Sequence, residues 1–491
     1  MALHSKYRPQ AEADRFAHAL SYPYPPDYIV LTEPGESYLA SSLRKRFPQA
    51  KLICIRYSET LFLDTDCLWD FVYRPNAQSS RLSFFLLSII PDEFFPNTVF
   101  LSWKPADLEW PQEAKKIWKE INTALELFKS LIYTRTAFGK IWLKNVCTNI
   151  IFAKNIAAVQ FPKSDFLFFA SGFSLEQNMP LLARLKLPSI AAGSCVDALR
   201  YHRIPITACI STDGTFWARQ LLKNIDARIP LLFPLEAAVP KSVLEKNMLG
   251  ILSYESFLEK YFFSQLGIPS LSAKRNGTVS GTAIELLLEH TTQQIYCFGL
   301  DLGNGKSFSH ARPHASITAL DTESTKLRSI ETFLRSQRLA NGSLATYRAW
   351  FENLNDAKAK RIFRVGLQAD AEKLSKVKTL ARTDIEIKNL TAQNIQERLN
   401  FTGIRPISAR DRKSSVVNCL NTAKTKIESM SLRELIMSHD ATLQFIKELI
   451  EFTAYHQLMS FIKTGSFEHE VRVKTACCTE LIKLENRLKS I

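Results

Sequence analysis

The chain of 491 residues has no apolar run approaching the roughly 20 residues that cross a bilayer. The longest candidate, around Phe84–Ile90, is short and meets Pro91, so no membrane span is expected. Met1–Arg8 is polar and basic with no hydrophobic stretch behind it, which predicts no secretory leader. The nine cysteines are odd in number and scattered; only Cys477 and Cys478 are close, and adjacent cysteines rarely bridge. That usage excludes a disulfide framework and predicts a cytoplasmic protein. Gly-x-Ser-x-Gly, His-Glu-x-x-His, Cys-x-x-Cys, the Walker A loop and the dinucleotide fingerprint are all missing. No Lys/Arg block is dense enough for a nucleic-acid arm, and no RNA- or DNA-binding signature is present, so nucleic acid is not an expected partner.

What is there is an ordinary globular balance, 46% hydrophobic and 23% charged, which excludes disorder and collagen. The length suits two to four domains. Lys and Arg total 63 against 48 Asp and Glu, a net charge of +15. Such a surplus suits an anionic partner, although a solvated basic surface accounts for it as well.

Texture divides the chain in three. Residues 1–134 read as an N-terminal α/β domain, with a helix over Pro9–Leu20, strands at Tyr28–Thr32 and Lys51–Tyr57, a helix over Tyr38–Phe47 between them, and a long helix over Lys115–Leu131. Residues 135–354 open with a helix at Ala137–Ala153. They then alternate short apolar strands (Phe166–Ala170, Ser189–Ala192, Thr207–Ser211, Pro230–Pro234, Leu249–Leu252, Gln294–Gly299) with helical segments. That alternation predicts a Rossmann-like parallel sheet covered on both faces, with ligands at the carboxyl ends of its strands. Residues 355–491 read as a helical C-terminal domain, with helices at Ile427–Met437, Leu443–Ile462 and Val471–Leu488.

Four turns at strand ends can carry chemistry. Ser171-Gly172-Phe173-Ser174 follows a strand and precedes a helix; its N–H groups can hold a phosphate, with Ser174 as cap or ligand, or it is an ordinary β–α turn. In Thr212-Asp213-Gly214, Asp213 can bind a sugar hydroxyl or a metal, or take a proton from an incoming hydroxyl; Asp-Gly is also a common turn pair. Lys274–Ala283 joins cations, Asn276, Gly277, Thr278, Ser280 and Gly281 before a helix, material suited to an anion. Cys297–His314 presents Asp301, His310, Arg312 and His314. Histidine suits proton transfer near neutral pH, and Arg312 can pair with a carboxylate or phosphate. No zinc spacing accompanies the histidines, and no metal ligand is assigned.

Read together, the segments resemble the motility accessory factor (Maf) glycosyltransferases, a flagellin-modifying family that shares its central domain with the archaeal 6-hydroxymethylpterin pyrophosphokinase-like proteins. The resemblance is carried by His4-Ser5-Lys6-Tyr7-Arg8-Pro9 with Ala11-Glu12, by Glu33-Pro34 ending the first strand, and by Trp142-Leu143-Lys144-Asn145 with Asn149. It continues through Gly172-Phe173-Ser174-Leu175, Thr212-Asp213-Gly214, Gly277–Ala283, Gly299-Leu300-Asp301-Leu302 and Ser309-His310-Ala311. Phe173 and Gly214 stand where the family has prolines.

The likeness spans residues 1–354. It implies a sialyltransferase-like central domain and transfer of a nonulosonic acid, of pseudaminic or legionaminic type, from a CMP-activated donor to Ser or Thr of flagellin. On that reading His310, Asp213 and Asp301 are the catalytic candidates. Gly172, Ser174, Thr212, Asn276, Gly277, Thr278, Ser280 and Arg312 hold the nucleotide sugar. No resident cofactor is implied, with Mg2+ an optional metal. Alternatives are an Mg-ATP-dependent pterin pyrophosphokinase-like enzyme, with Asp213 and Asp301 as metal ligands, and a non-catalytic flagellar chaperone or binding module.

Overall fold

The computed structural model describes residues 3–76, 81–90, 94–303, 309–330, 332, 342–368, 371–387, 398–403, 407–438 and 440–490. The stretch 304–308 of the Cys297–His314 segment therefore lies outside the described residues. The chain divides into two compact units, Met1–Gly139 with Ile450–Thr479, and Lys140–Leu449 with Glu480–Ile491. No helix among the described residues is long and apolar enough to cross a membrane.

The first unit holds a parallel sheet of β1 (Tyr28–Thr32), β2 (Lys51–Ile55), β3 (Phe71–Tyr73) and β4 (Thr98–Ser102), in the order β3-β2-β1-β4. Alternate residues of a strand face opposite sides. Ile29, Leu31, Leu52 and Cys54 accordingly pack with Leu39 and Leu43 of α2 (Tyr38–Arg46) and with Ala13 and Ala17 of α1 (Pro9–Ala19). Val30, Ile53 and Ile55 pack on the other side, with Leu82 and Leu86 of α3 (Leu82–Ile89) and Ile117 and Ile121 of a long helix. A short α4 (Lys104–Glu109) precedes that long helix, α5 (Pro111–Phe152). The two helices read at Lys115–Leu131 and Ala137–Ala153 are thus one. No proline or glycine stands in Ile132–Thr136 to break it, and the boundary read at 134–135 falls inside it.

The second unit is built on an eleven-stranded sheet. Its strands are β5 (Asn155–Gln160), β6 (Phe166–Phe169), β7 (Ser189–Ala192), β8 (Ala208–Ile210), β9 (Leu231–Pro234), β10 (Met248–Ser253), β11 (Ser270–Ser272), β12 (Ile295–Phe298), β13 (Ile362–Val365), β14 (Lys378–Leu380) and β15 (Asn400–Gly403). They run in the order β14-β13-β12-β6-β7-β8-β9-β10-β5-β15, with β11 beside β10. All pairs are parallel except β15 with β5. The intervening helices include α6 (Leu175–Leu182), α7 (Val196–Tyr201), α8 (Phe216–Leu222), α9 (Lys241–Lys246), α10 (Phe257–Leu266) and α11 (Val279–His290). β6, β7, β9 and β12 are buried along their whole length, as a sheet covered on both faces requires.

Two readings of the last third need correction. Three strands, β13 to β15, lie in residues expected to be helical, so the parallel sheet continues past residue 354. In Ile362-Phe363-Arg364-Val365 a charged residue interrupts the apolar run that marks a strand, yet Arg364 is fully buried. The helix read over Ile427–Met437 is broken: one helix ends at Ser429, and Ser431 starts the next, Leu432–Met437, through a reciprocal capping box with Glu434. From Ala409 onward the described chain is helical, including Ala441–Thr464 and Phe467–Lys489.

Candidate functional site

Strand order locates a crevice. From β6 the chain steps through α6 to β7 and on towards β10, while β12 lies against the other edge of β6 and leads to β13. Connections leaving in opposite directions open a gap at the carboxyl ends of adjacent parallel strands, where α/β proteins bind ligands. The turn after β6 carries Ser171, Gly172 and Ser174; the turn after β12 carries Gly299 and Asp301.

The two turns are locked together. Gly172 N–H donates to Gly299 O at 2.8 Å, and Ser174 N–H donates to Asp301 Oδ2 at 2.8 Å. A side chain on Gly172 would collide with Asp301: a Cβ there would stand 2.2 Å from Oδ2. Gly299 has a positive φ of 68°, and a Cβ would meet Ala170 O at 2.4 Å. The N–H that opens the helix after β6 is thus already held by the protein's own carboxylate. Ser174 does not cap the helix with its side chain; its Oγ is buried and lies near Asp301 without completing a hydrogen bond. The expected phosphate cradle at Gly172–Ser174 is in this form an Asp301 cradle.

His310 and His314 close one side. Gly172 and His310 form an antiparallel bridge, Ala311 N–H donates to Ser171 O at 2.8 Å, and His310 Nδ1 lies 3.3 Å from Ser171 Oγ. The two imidazoles stack with centroids 4.3 Å apart. Burial lowers the pKa of His310; burial and then His310 push His314 down to about 3. Both rings are neutral near pH 7. His314 Nδ1 accepts the Ser316 N–H, which leaves Nε2 as the protonated nitrogen, buried and without a partner among the described residues.

Arg364 braces the crevice from β13. Its guanidinium donates to Leu300 O at 2.9 Å, Asp301 O at 3.0 Å and Glu372 O at 2.6 Å. Burial raises the pKa of Asp301, while the hydrogen bond from the Ser174 N–H and the charge of Arg364 act against it. Asp301 Oδ1, Asn178 Oδ1 and His314 Nε2 are buried atoms around these two turns without hydrogen-bond partners among the described residues. Buried polar atoms in native proteins are nearly always paired, so this concentration calls for a ligand or water with complementary groups. Arg312 is held by Glu176 through its backbone N–H at 2.7 Å and its guanidinium at 2.9 and 3.1 Å, and meets a ligand only as a neutralised pair.

The remaining expected residues gather further along the same carboxyl edge. Thr212 and Asp213 follow β8. Asp213 turns its carboxylate onto Thr215, accepting from N–H at 2.8 Å and Oγ1 at 3.0 Å. Asp213 and Asp301 follow strands separated by β6 and β7, roughly 14 Å apart by strand spacing, so they do not form a carboxylate pair for one ion. Among the described residues no three His, Cys, Asp or Glu side chains converge on a metal position. Asn276, Gly277, Thr278 and Ser280 stand at the start of α11, where Thr278 Oγ1 accepts the Gly281 N–H at 2.8 Å. The first-turn N–H groups of Val279 and Ser280 are donors a helix cannot satisfy itself.

Side chains that sequence reasoning missed join these two turns. Glu236, after β9, pairs with Arg275 at 2.7 Å, and Arg275 lies over Trp142 and Tyr254 at 5.5 and 5.0 Å. Asn145 donates to Gly214 O and Glu236 O at 3.0 and 2.9 Å, and Asn149 to Leu235 O and Ala237 O at 2.7 and 2.8 Å, fixing the β8 and β9 turns to α5. An acidic residue directly after a buried strand was the available signal for Glu236. None existed for Arg364 or Asn178, whose roles depend on strand order.

No protein-family model matches the chain. A protein of Treponema pallidum (strain Nichols) described as uncharacterized is 34% identical over 417 residues, 84% of this chain and 90% of that protein. A solved structure described as a MAf glycosyltransferase from Magnetospirillum magneticum AMB-1 aligns over 98% of this chain and 82% of that one, with a TM-score of 0.49 and 11% identity. A likeness at that level decides neither fold family nor activity.

Proposed function

This chain belongs to one family with the Treponema pallidum protein, and we propose that it is a glycosyltransferase using a nucleotide-activated sugar. The observation that carries the reading is the β6–β12 crevice. Open acceptors on Asp301 and Asn178 and an open donor on His314 there match a hydroxyl-rich ligand. The motif resemblance supplies the finer assignment: a CMP-activated nonulosonic acid as donor and Ser or Thr of flagellin as acceptor.

The acceptor oxygen attacks the anomeric carbon, forming the new C–O bond as the bond to the phosphate oxygen breaks and CMP departs. His310, neutral and half-buried beside Ser171, takes the acceptor proton. Asp301 orients sugar hydroxyls, and Asp213 is the rival base. Gly172 and Ser174 act by holding Asp301. The α11 start, with Asn276, Gly277, Thr278 and Ser280, offers donors to the nucleotide phosphate, with Thr212 and the Arg312–Glu176 pair at the rim. Mg2+ is optional in this scheme.

Calorimetric titration with CMP, CMP-sugars and ATP, with and without Mg2+, tests the reading. Metal-independent CMP binding supports it. Selective Mg-ATP binding or no nucleotide binding overturns it. Intact-mass measurement of flagellin co-expressed with wild type or His310→Ala tests the acceptor; unchanged modification in the variant removes His310 from the mechanism.

A further inference from the structure

Lys144, Arg219 and Arg487 of the second unit stand on neighbouring elements, and no carboxylate among the described residues pairs with them. Lys140 of α5 pairs with Glu480 of the final helix at 3.3 Å, which sets those two helices side by side. One turn further along α5 stands Lys144, and two turns past Glu480 stands Arg487. Asn145 ties the same stretch of α5 to Gly214 O, immediately before α8, whose first turn ends at Arg219. Lys144 and Arg219 are half-buried and Arg487 is exposed. Arg219 Nε is buried with no hydrogen-bond partner among the described residues.

The neighbouring acids are engaged elsewhere. Glu480 pairs with Lys140 and Lys483, Glu485 with Lys424 and Lys489, and Asp213 with Thr215. No carboxylate pairs with Lys144, Arg219 or Arg487 among the described residues. Burial, then Arg487 and Arg219, hold the Lys144 ammonium below its ordinary pKa range. A protein that needed these cations only for solubility would leave them apart in water, because like charges drawn together cost stability.

We propose that Lys144, Arg219 and Arg487 form a binding site for a phosphate-bearing anion, separate from the β6–β12 crevice. Two guanidinium forks and an ammonium suit the several oxygens and charges of a di- or oligophosphate better than the single charge of one carboxylate. The site stands independently of the glycosyl-transfer reading, since it uses none of the residues assigned there.

The test is thermal unfolding of the full chain in millimolar inorganic pyrophosphate against chloride at matched ionic strength, with calorimetry for affinity. Pyrophosphate raises the Tm of the wild type. Arg219→Gln raises the Tm without the anion, because it relieves repulsion, and abolishes the pyrophosphate-dependent rise. Arg487→Gln, at an exposed position, weakens pyrophosphate binding about ten-fold or more. It leaves CMP binding unchanged, which separates failure here from failure of the proposed function. A wild-type Tm equal in the two salts, or a pyrophosphate response retained in both variants, overturns the proposal.

Discussion

Both units carry a parallel sheet with a topological switch, and the two crevices differ in how they are filled. In the first, β1 leads to β2 on one side while β4 lies on the other. Glu33, at the carboxyl end of β1, accepts from Arg56 at 3.0 Å, Tyr57 N–H at 2.8 Å and Gly35 N–H at 3.3 Å. Arg56 also donates to Gly35 O, Ser37 Oγ, Thr65 Oγ1 and Asp66. His4 stacks on Trp103 at 5.4 Å and accepts the Glu36 N–H, so the chain's own opening segment covers the turn. In the second unit Asp301, Asn178 and His314 keep open hydrogen-bonding atoms at the equivalent place. Strand order makes a crevice; unspent polar groups are what distinguish a site from a brace.

The comparison can be broken most severely at Arg56. Both partners of the Arg56–Glu33 pair are fully buried, so Arg56→Met strands a carboxylate and should cost about 3–5 kcal/mol in urea unfolding. Adding Glu33→Gln should recover much of that loss. A next effect tests a buried acid in the second unit. Burial first, then Glu236 and Glu448, push Glu259 up to about 8. Its folded-state pKa lies above its unfolded value, so its ionisation favours unfolding. Stability should fall, by on the order of a few kcal/mol, as pH rises from about 4.5 to about 8 and level off above. Glu259→Gln should flatten that slope in pH-resolved denaturation.

Smaller effects on folding, with larger ones on binding, are expected at the open crevice. Gly172→Ala forces Asp301 aside at a cost of about 1–3 kcal/mol and should abolish CMP binding in calorimetry. Asp301→Asn turns an open acceptor into a donor; it should lose the ligand while raising neutral-pH stability, since a carboxyl whose charged form burial disfavours is removed. The smallest effect belongs to Gly277→Ala. A Cβ there meets nothing, and only the positive φ of 70° is strained, so thermal unfolding should register a loss of about 1 kcal/mol.

Much of the fold was legible because it rests on local apolar runs. Ser189–Ala192 and Tyr28–Thr32 coincide with β7 and β1, and Phe166–Ala170 and Gln294–Gly299 bracket β6 and β12 within a residue. β13 was illegible because Arg364 looks like a surface residue until three carbonyls are seen to surround it. Of the candidate site, the turns after β6 and β12 could be named, but their contact could not: periodicity does not say which strands become neighbours. Nor does spacing show that Asp301 rather than a ligand sits on the Ser174 N–H, or that Asp213 bonds Thr215.

The pairing of β6 with β12 also has a consequence for synthesis. The carboxylate that receives the Ser174 N–H lies 127 residues downstream, and the arginine that braces it lies later still, on β13. A ribosome that has released only the chain before β12 has delivered β6, whose side chains are all apolar, with one edge unpaired. Growth of the nascent chain therefore includes an interval in which an unprotected strand invites mispairing with another copy, until the late strands arrive and seal it.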